Sequence, residues 1–373
     1  MRAAPEVQPT HCVRYRFRYS ECTRCEQACP HDAIRLNDEG AGIDAKHCKA
    51  CGLCVSACPT ETFTTPVLSP LALIEKARGR PAWAIACTPS GAAGDEYVPC
   101  LGALGAPLLA YLLNQGTALQ LVGSAHCASC SHGARGGPQL AANLDALEAL
   151  CVAARPGPWP VLTLPQAPAR TGSPVPADKR EEDAPSDVLR AARRGFFRRV
   201  AHAGAPGPAA KPAANAVAIP LRAIRAARAT PSAQRDLLQM LGLAETTAPV
   251  VAHACLPAGD LHLGPGCTGC EACARACPTA ALQIRENTTA WALGFEAALC
   301  VACGVCTEAC QPRVLHLTES VPTANFGKRE PQPLHGMPKR RCTRCDRSFI
   351  VTSDSALCET CTGDTEDFDA IFG

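Results

Sequence analysis

Apolar and polar positions in residues 68–165 alternate in blocks that predict an α/β unit. PAWAIACT (81–88) is a short apolar run ending at Cys87 and predicts a strand. GAPLLAYLLNQG (105–116) predicts an amphipathic helix closed by Gly116. ALQLVGSAHCASC (118–130) predicts a strand running into a loop. PQLAANLDALEALCVAA (138–154) places Leu140, Leu144, Leu147 and Cys151 on one helical face. WPVLTL (159–164) reads as a last strand. This order predicts a parallel sheet.

The chain's two ends follow a different pattern. Short strand-like stretches, TETFTT (60–65), TAALQI (279–284) and RVLHLT (313–318), follow a cysteine motif. AGIDAKH (41–47) and WALGFEAAL (291–299) precede one. They predict small antiparallel hairpins with short helices between the motifs. Aromatics make up only 4% of the chain, so several small domains fit better than one large core.

Cysteine spacing sets the organisation. Residues 267–278 (CTGCEACARACP), 300–312 (CVACGVCTEACQP) and 48–59 (CKACGLCVSACP) all read C-x2-C-x2-C-x3-C. Residues 22–30 (CTRCEQACP) hold the last three cysteines of a fourth copy. Motif pairs thus flank a longer middle segment. The N-terminus has no apolar secretory signal, which points to the cytoplasm. In such a reducing compartment clustered cysteines bind metal more often than they pair as disulfides. Of the 26 cysteines, 24 are read in that light.

A [4Fe–4S] cube needs four thiolates, and a C-x2-C-x2-C loop wraps three corners. Residues 10–66 and 260–318 resemble bacterial two-cluster ferredoxins. The resemblance implies a crossed ligand assignment. Cys267, Cys270, Cys273 and Cys310 would hold one cube, and Cys300, Cys303, Cys306 and Cys277 another. Cys48, Cys51, Cys54 and Cys29 would hold a third. In the fourth copy Tyr19 stands where the first ligand belongs. We read VRYRFRYSE (13–21) as an insertion that loops out, with Cys12, Cys22, Cys25 and Cys58 as ligands. The rival reading is a three-thiolate site, a labile cube or a [3Fe–4S] centre. Cores this small draw much of their folding energy from the clusters.

Cys87, Cys100, Cys127 and Cys130 fall at strand ends or in loops, where open parallel sheets gather ligands. The order C…VPCLG…helix…strand…H-C-x2-C is similar to the delta subunit of methyl-viologen-reducing hydrogenases and related heterodisulfide-reductase-linked proteins. That similarity implies a [2Fe–2S] or further Fe–S cluster and a relay between larger enzymes. Buried free thiols are the alternative. His126 reads as a neighbour of the ligands rather than a ligand, and Cys151 and Cys255 as core residues. Residues 342–361 read C-x2-C-x12-C-x2-C, which suits four-thiolate zinc at Cys342, Cys345, Cys358 and Cys361 and resembles zinc ribbons. One iron in a rubredoxin-like site is the alternative.

Residues 165–217 are rich in Pro, Ala and charge and read as a linker. Within it, Arg193–Arg194 and Arg198–Arg199 flank Phe196–Phe197. This reads as a solvated helix, with docking to an acidic partner or a membrane surface as the alternative. Arg222, Arg225 and Arg228 read as a solvated face, and the acidic tail 365–373 as mobile.

The expected architecture is therefore α+β and multidomain. Two ferredoxin-type units (10–66 and 244–320) flank an α/β domain (67–165) and a linker with helices (166–243). A zinc-ribbon-like module (336–364) closes the chain. A net charge of +2 gives no field for nucleic acid, and no apolar run nears the roughly 18 residues of a membrane span. No nucleophile triad, P-loop or dinucleotide fingerprint appears. The expected role is electron relay between redox partner proteins, in the manner of a polyferredoxin subunit. Two other classes stay open: a redox enzyme subunit with thiol or disulfide chemistry at the middle cysteines, and a redox-sensing assembly factor.

Overall fold

The computed structural model describes residues 3–154, 162–164, 224–225, 229–243, 248–327, 329–351 and 354–363. All of them belong to one contact unit. The double arginines, Phe196–Phe197, Arg222, Arg228 and the acidic tail lie outside the described residues.

Each cysteine motif builds one loop and one short helix. Helices Arg24–Ala28, Leu53–Ala57, Ala272–Ala276 and Val305–Ala309 carry the third cysteine of each motif and stop at the fourth. Between the paired motifs stand the expected antiparallel hairpins, Ile34–Asn37 with Gly40–Ile43 and Leu282–Glu286 with Ala290–Phe295. Two further antiparallel pairs close the units: Glu6–Val7 with Phe63–Thr64, and Leu261–Leu263 with Leu315–Leu317.

The repeat extends to backbone torsions. The third residue after the fourth cysteine is left-handed in all four copies: Asp32, Glu61, Ala280 and Arg313, at φ of 49, 52, 58 and 55°. Two residues after the first cysteine, Ala50, Gly269 and Ala302 are also left-handed. Side chains seldom adopt this region without a structural demand. Here it is the wrapping of a short chain around three sulfurs. One residue after the second cysteine, Gly52, Glu271 and Gly304 are left-handed too, whereas Thr23 of the incomplete motif has φ −128°.

The middle segment forms the expected parallel sheet. Strands Glu96–Val98, Ala82–Cys87, Ala118–Val122 and Leu162–Thr163 lie in that order. The helix Ala106–Asn114 differs from expectation. It is buried on nearly every face, from Ala106 through Leu113. Its outer side is covered by Ala233–Met240, whose Leu237 and Leu238 join the same core. Val250, Leu256, Val321 and Phe326 complete that core. The α/β unit thus draws its apolar lid from residues far beyond position 165. The second helix covers Gly133–Ala154 and begins before Pro138, with Leu140 and Leu147 buried and Leu144 and Cys151 packed beside them.

The insertion does not loop out. It forms the helix Val13–Arg16, and Val13, Arg16 and Phe17 are buried. Nor is the C-terminal module detached. Gln332–Arg341 extends the hairpin sheet by pairing with Ala290–Phe295, and Ser348–Ile350 adds the next strand. No helix among the described residues is long and apolar enough to cross a membrane.

Candidate metal centres

Three cavities are walled by cysteines from both motifs of a unit. Cys12, Cys22, Cys25 and Cys58 line one, Cys29, Cys48, Cys51 and Cys54 the second, and Cys277, Cys300, Cys303 and Cys306 the third. In the fourth group, Cys270, Cys310 and Cys267 are the thiols that press electrostatically on Cys273. The structure therefore brings together the four sets expected from the sequence. Cys12 lies in one apolar cluster with Cys25 and Cys54, flanked by Cys29 and Cys58, while Tyr19 is 58% exposed.

The donor sets suit anionic sulfur. Backbone N–H groups of Ala33, Ala50 and Thr62 donate to Cys29, Cys48 and Cys58, each at 3.4 Å. Those of Arg14, Tyr15 and Ala41 point at Cys12. Burial, then the neighbouring thiols led by Cys58, pushes Cys25 up to about 12. Burial and crowding push Cys54, Cys303 and Cys306 higher still. Four crowded, buried thiols resist deprotonation unless a cationic centre binds them. Such a set fits a metal cluster and suits an apolar core poorly.

The middle cysteines gather beyond the carboxyl ends of the strands. Cys87 ends its strand, Cys100 follows Val98, and Cys127 and Cys130 lie on the turn after Val122. Cys130 and Cys127 are the thiols pressing on Cys87, while Cys87, Cys51 and Cys127 press on Cys100. Burial raises Cys100 to about 12. Glycines let this loop and helix meet. A Cβ at Gly133 would lie 1.7 Å from the Cys127 carbonyl oxygen, and one at Gly136 2.7 Å from Cys100 Sγ. Gly133→Ala is expected to displace the 124–130 turn and cost about 1–3 kcal/mol, measured as a fall in stability by denaturant unfolding.

His126, expected beside the ligands and not among them, turns its ring to Ser129 Oγ at 3.2 Å. Sequence reasoning overlooked a histidine pair. His31 Nε2 and His132 Nδ1 lie 2.8 Å apart, beside Cys51. One ring donates and the other accepts, and burial holds both below the ordinary histidine range. His132 N also donates to Cys130 Sγ. The one available signal was the position of His31 directly after a Cys-Pro. Cys255 accepts from Gln139 Nε2 at 3.2 Å, in keeping with a core role.

At the C-terminus the sulfurs of Cys342, Cys345, Cys358 and Cys361 all lie within 4.8 Å of one another, and Cys345 and Cys358 are 3.7 Å apart. A single ion about 2.3 Å from four thiolates requires a tetrahedral edge of about 3.8 Å. The backbone N–H of Cys358 lowers Cys342 to about 6, while burial and the other three thiols raise Cys361 to about 12. The loop carrying the outermost cysteine set rests on this module. A Cβ at Gly269 would meet Met337 and Ile350 below 3 Å.

The class these features define is an iron–sulfur protein with ferredoxin-like units. Residues 20–62 and 266–314 match the 4Fe-4S dicluster domain family. The chain is similar to one component of the ion-translocating oxidoreductase complex of Methanosarcina acetivorans, at 50% identity over 42 residues. That stretch is 11% of this chain and 16% of the relative. These likenesses support [4Fe–4S] binding and an electron-transfer role.

Proposed function

We propose that the chain is a polyferredoxin-like electron-transfer subunit. Its four crossed cysteine sets would each hold a [4Fe–4S] cube. Cys87, Cys100, Cys127 and Cys130 would hold a [2Fe–2S] or related centre, and the C-terminal knuckle one zinc ion. The observation that carries this reading is the grouping of sixteen cysteines into four sets of four by loops of repeated backbone geometry. The clusters supply one-electron chemistry, with potentials set by burial and hydrogen bonds to sulfur. The protein supplies the rest. Left-handed residues turn the loops, backbone N–H groups face the sulfurs, and apolar residues keep water out. Its partners would be larger redox proteins, a reading supported by the likeness to a component of an oxidoreductase complex.

Metal analysis of anaerobically purified protein tests it. Four cubes, one [2Fe–2S] centre and the knuckle predict about 18 iron, about 18 sulfide and about one zinc per chain. About 16 iron would leave the ferredoxin-like units standing and return the middle cysteines to plain thiols. Near eight iron after reconstitution would remove the main support for the reading.

A further inference from the structure

We propose that the insertion 13–21 is a clasp that seats the Cys12/Cys22/Cys25/Cys58 site against the Cys277/Cys300/Cys303/Cys306 site. It thereby joins two dicluster units, far apart in sequence, into one row. The inference rests on reading both sets as [4Fe–4S] ligands.

The contact is specific. Cys303, from the C-terminal unit, lines the cavity formed by the N-terminal set. Cys22 and Cys303 pack against one apolar cluster, made by Val13 and Phe17 from the insertion and Ala276, Val305 and Ala309 from the C-terminal helices. Arg24, between two ligands of the N-terminal set, donates from Nη2 to the Ala302 carbonyl at 3.2 Å. Ala302 is the neighbour of Cys303. Arg16 is 2% exposed, and its Nη2 donates to Thr230 Oγ1, while Thr230 N donates to Pro278 O beside Cys277. Phe17 bridges to Ile224, and Arg225 N donates to Arg16 O.

A hinge between independent units would leave polar, wet surfaces here. Instead Val13, Arg16 and Phe17 of the interrupting stretch are buried, and Val13 and Phe17 meet the helices that carry ligands of the other unit. The interruption that puts Tyr19 at the first ligand's place is thus used as an interface. A separate apolar contact among Cys100, Cys51, Leu53 and Ala28 brings the middle cysteines to the other end of the N-terminal unit.

The test isolates the two sites at the junction. In the full chain, Cys48→Ala with Cys51→Ala and Cys267→Ala with Cys270→Ala remove both outer cubes, and Cys87→Ala removes the middle centre. About eight iron should remain. After dithionite reduction, the EPR spectrum of this variant is expected to show two interacting centres, with broadened wings and several-fold faster relaxation than either centre alone. Adding Phe17→Glu and Arg24→Ala is expected to return it to the sum of two independent signals. An additive spectrum in the first variant would overturn the clasp and leave the electron-transfer reading intact. A parent chain that never binds cube-level iron would overturn the reading instead. If the stripped variant fails to reach eight iron, Phe17→Ala with Arg24→Ala in the otherwise unaltered chain decides. With iron unchanged, its half-saturation power should fall several-fold, and parental saturation would overturn the clasp.

Discussion

Cys12→Ala is expected to lose one whole cube, about four irons and four sulfides, while Tyr19→Phe loses none. The reasoning starts from position. Cys12 caps the helix Val13–Arg16, so the first N–H groups of that helix face its sulfur. It is 7% exposed and shares an apolar cluster with Cys25. Cys58, the cysteine that crosses from the second motif, is the thiol that presses on it. Room for it depends on Gly40, at φ 104°, where a Cβ would come within 3.2 Å of Cys12 Cβ. Tyr19 sits edge-on against Phe17 at 5.8 Å and faces solvent. Unchanged iron in Cys12→Ala would favour the three-thiolate alternative. So would a signal from an oxidised three-iron centre in the parent protein. Gly40→Ala is the milder companion, with weakened retention of the same cube.

The cysteine groupings and hairpins were legible because their causes are local. A two-residue gap between cysteines, a Pro after the last one and a period-two strand can all be read within about twenty residues. The parallel sheet was legible for the same reason. What escaped depends on contacts across long separations. VRYRFRYSE carries arginines and tyrosines in sequence and reads as exposed, yet Val13 and Phe17 pack on Val305 and Ala309. GAPLLAYLLNQG reads as amphipathic because the residues covering its second side lie at 233–243, behind a Pro-rich stretch. The knuckle reads as a separate module because its backbone tie to the hairpin runs through the strand Gln332–Arg341, where Pro333 and Pro338 argue against a strand. His31 and His132 are about a hundred residues apart, and neither is notable alone.

Arg235 belongs to this unread part and carries the second large expectation. Arg235→Leu should move the potential of the Cys277/Cys300/Cys303/Cys306 centre downward by roughly 90 mV, while Arg235→Lys keeps most of the parental value. Arg235 is 2% exposed. Its Nε donates to Ala298 O at 2.7 Å and its Nη2 to Ala297 O at 2.9 Å, beside a cysteine set that begins at Cys300. The guanidinium lies 4.7 Å from the Phe326 ring centroid, and Nη1 has no hydrogen-bond partner among the described residues. Burial lowers its pKa to about 10, which still leaves it charged at neutral pH. A buried cation left partly unpaired is costly unless an anion nearby offsets it. A thiolate-ligated cube is such an anion, and it gains a further negative charge on reduction. The cation therefore stabilises the reduced state more than the oxidised one. A unit charge at roughly 8 Å, with an effective dielectric near 20, is worth roughly 2 kcal/mol, or roughly 90 mV for one electron. Potentiometric titration followed by EPR reads the shift. Losing the bonds to Ala298 O and Ala297 O should also lower stability by about 1–3 kcal/mol, but that loss cannot by itself select one oxidation state. An unmoved potential with lowered stability would make Arg235 a cap for two carbonyls and nothing more. A downward shift confined to one centre would assign it the tuning of that centre.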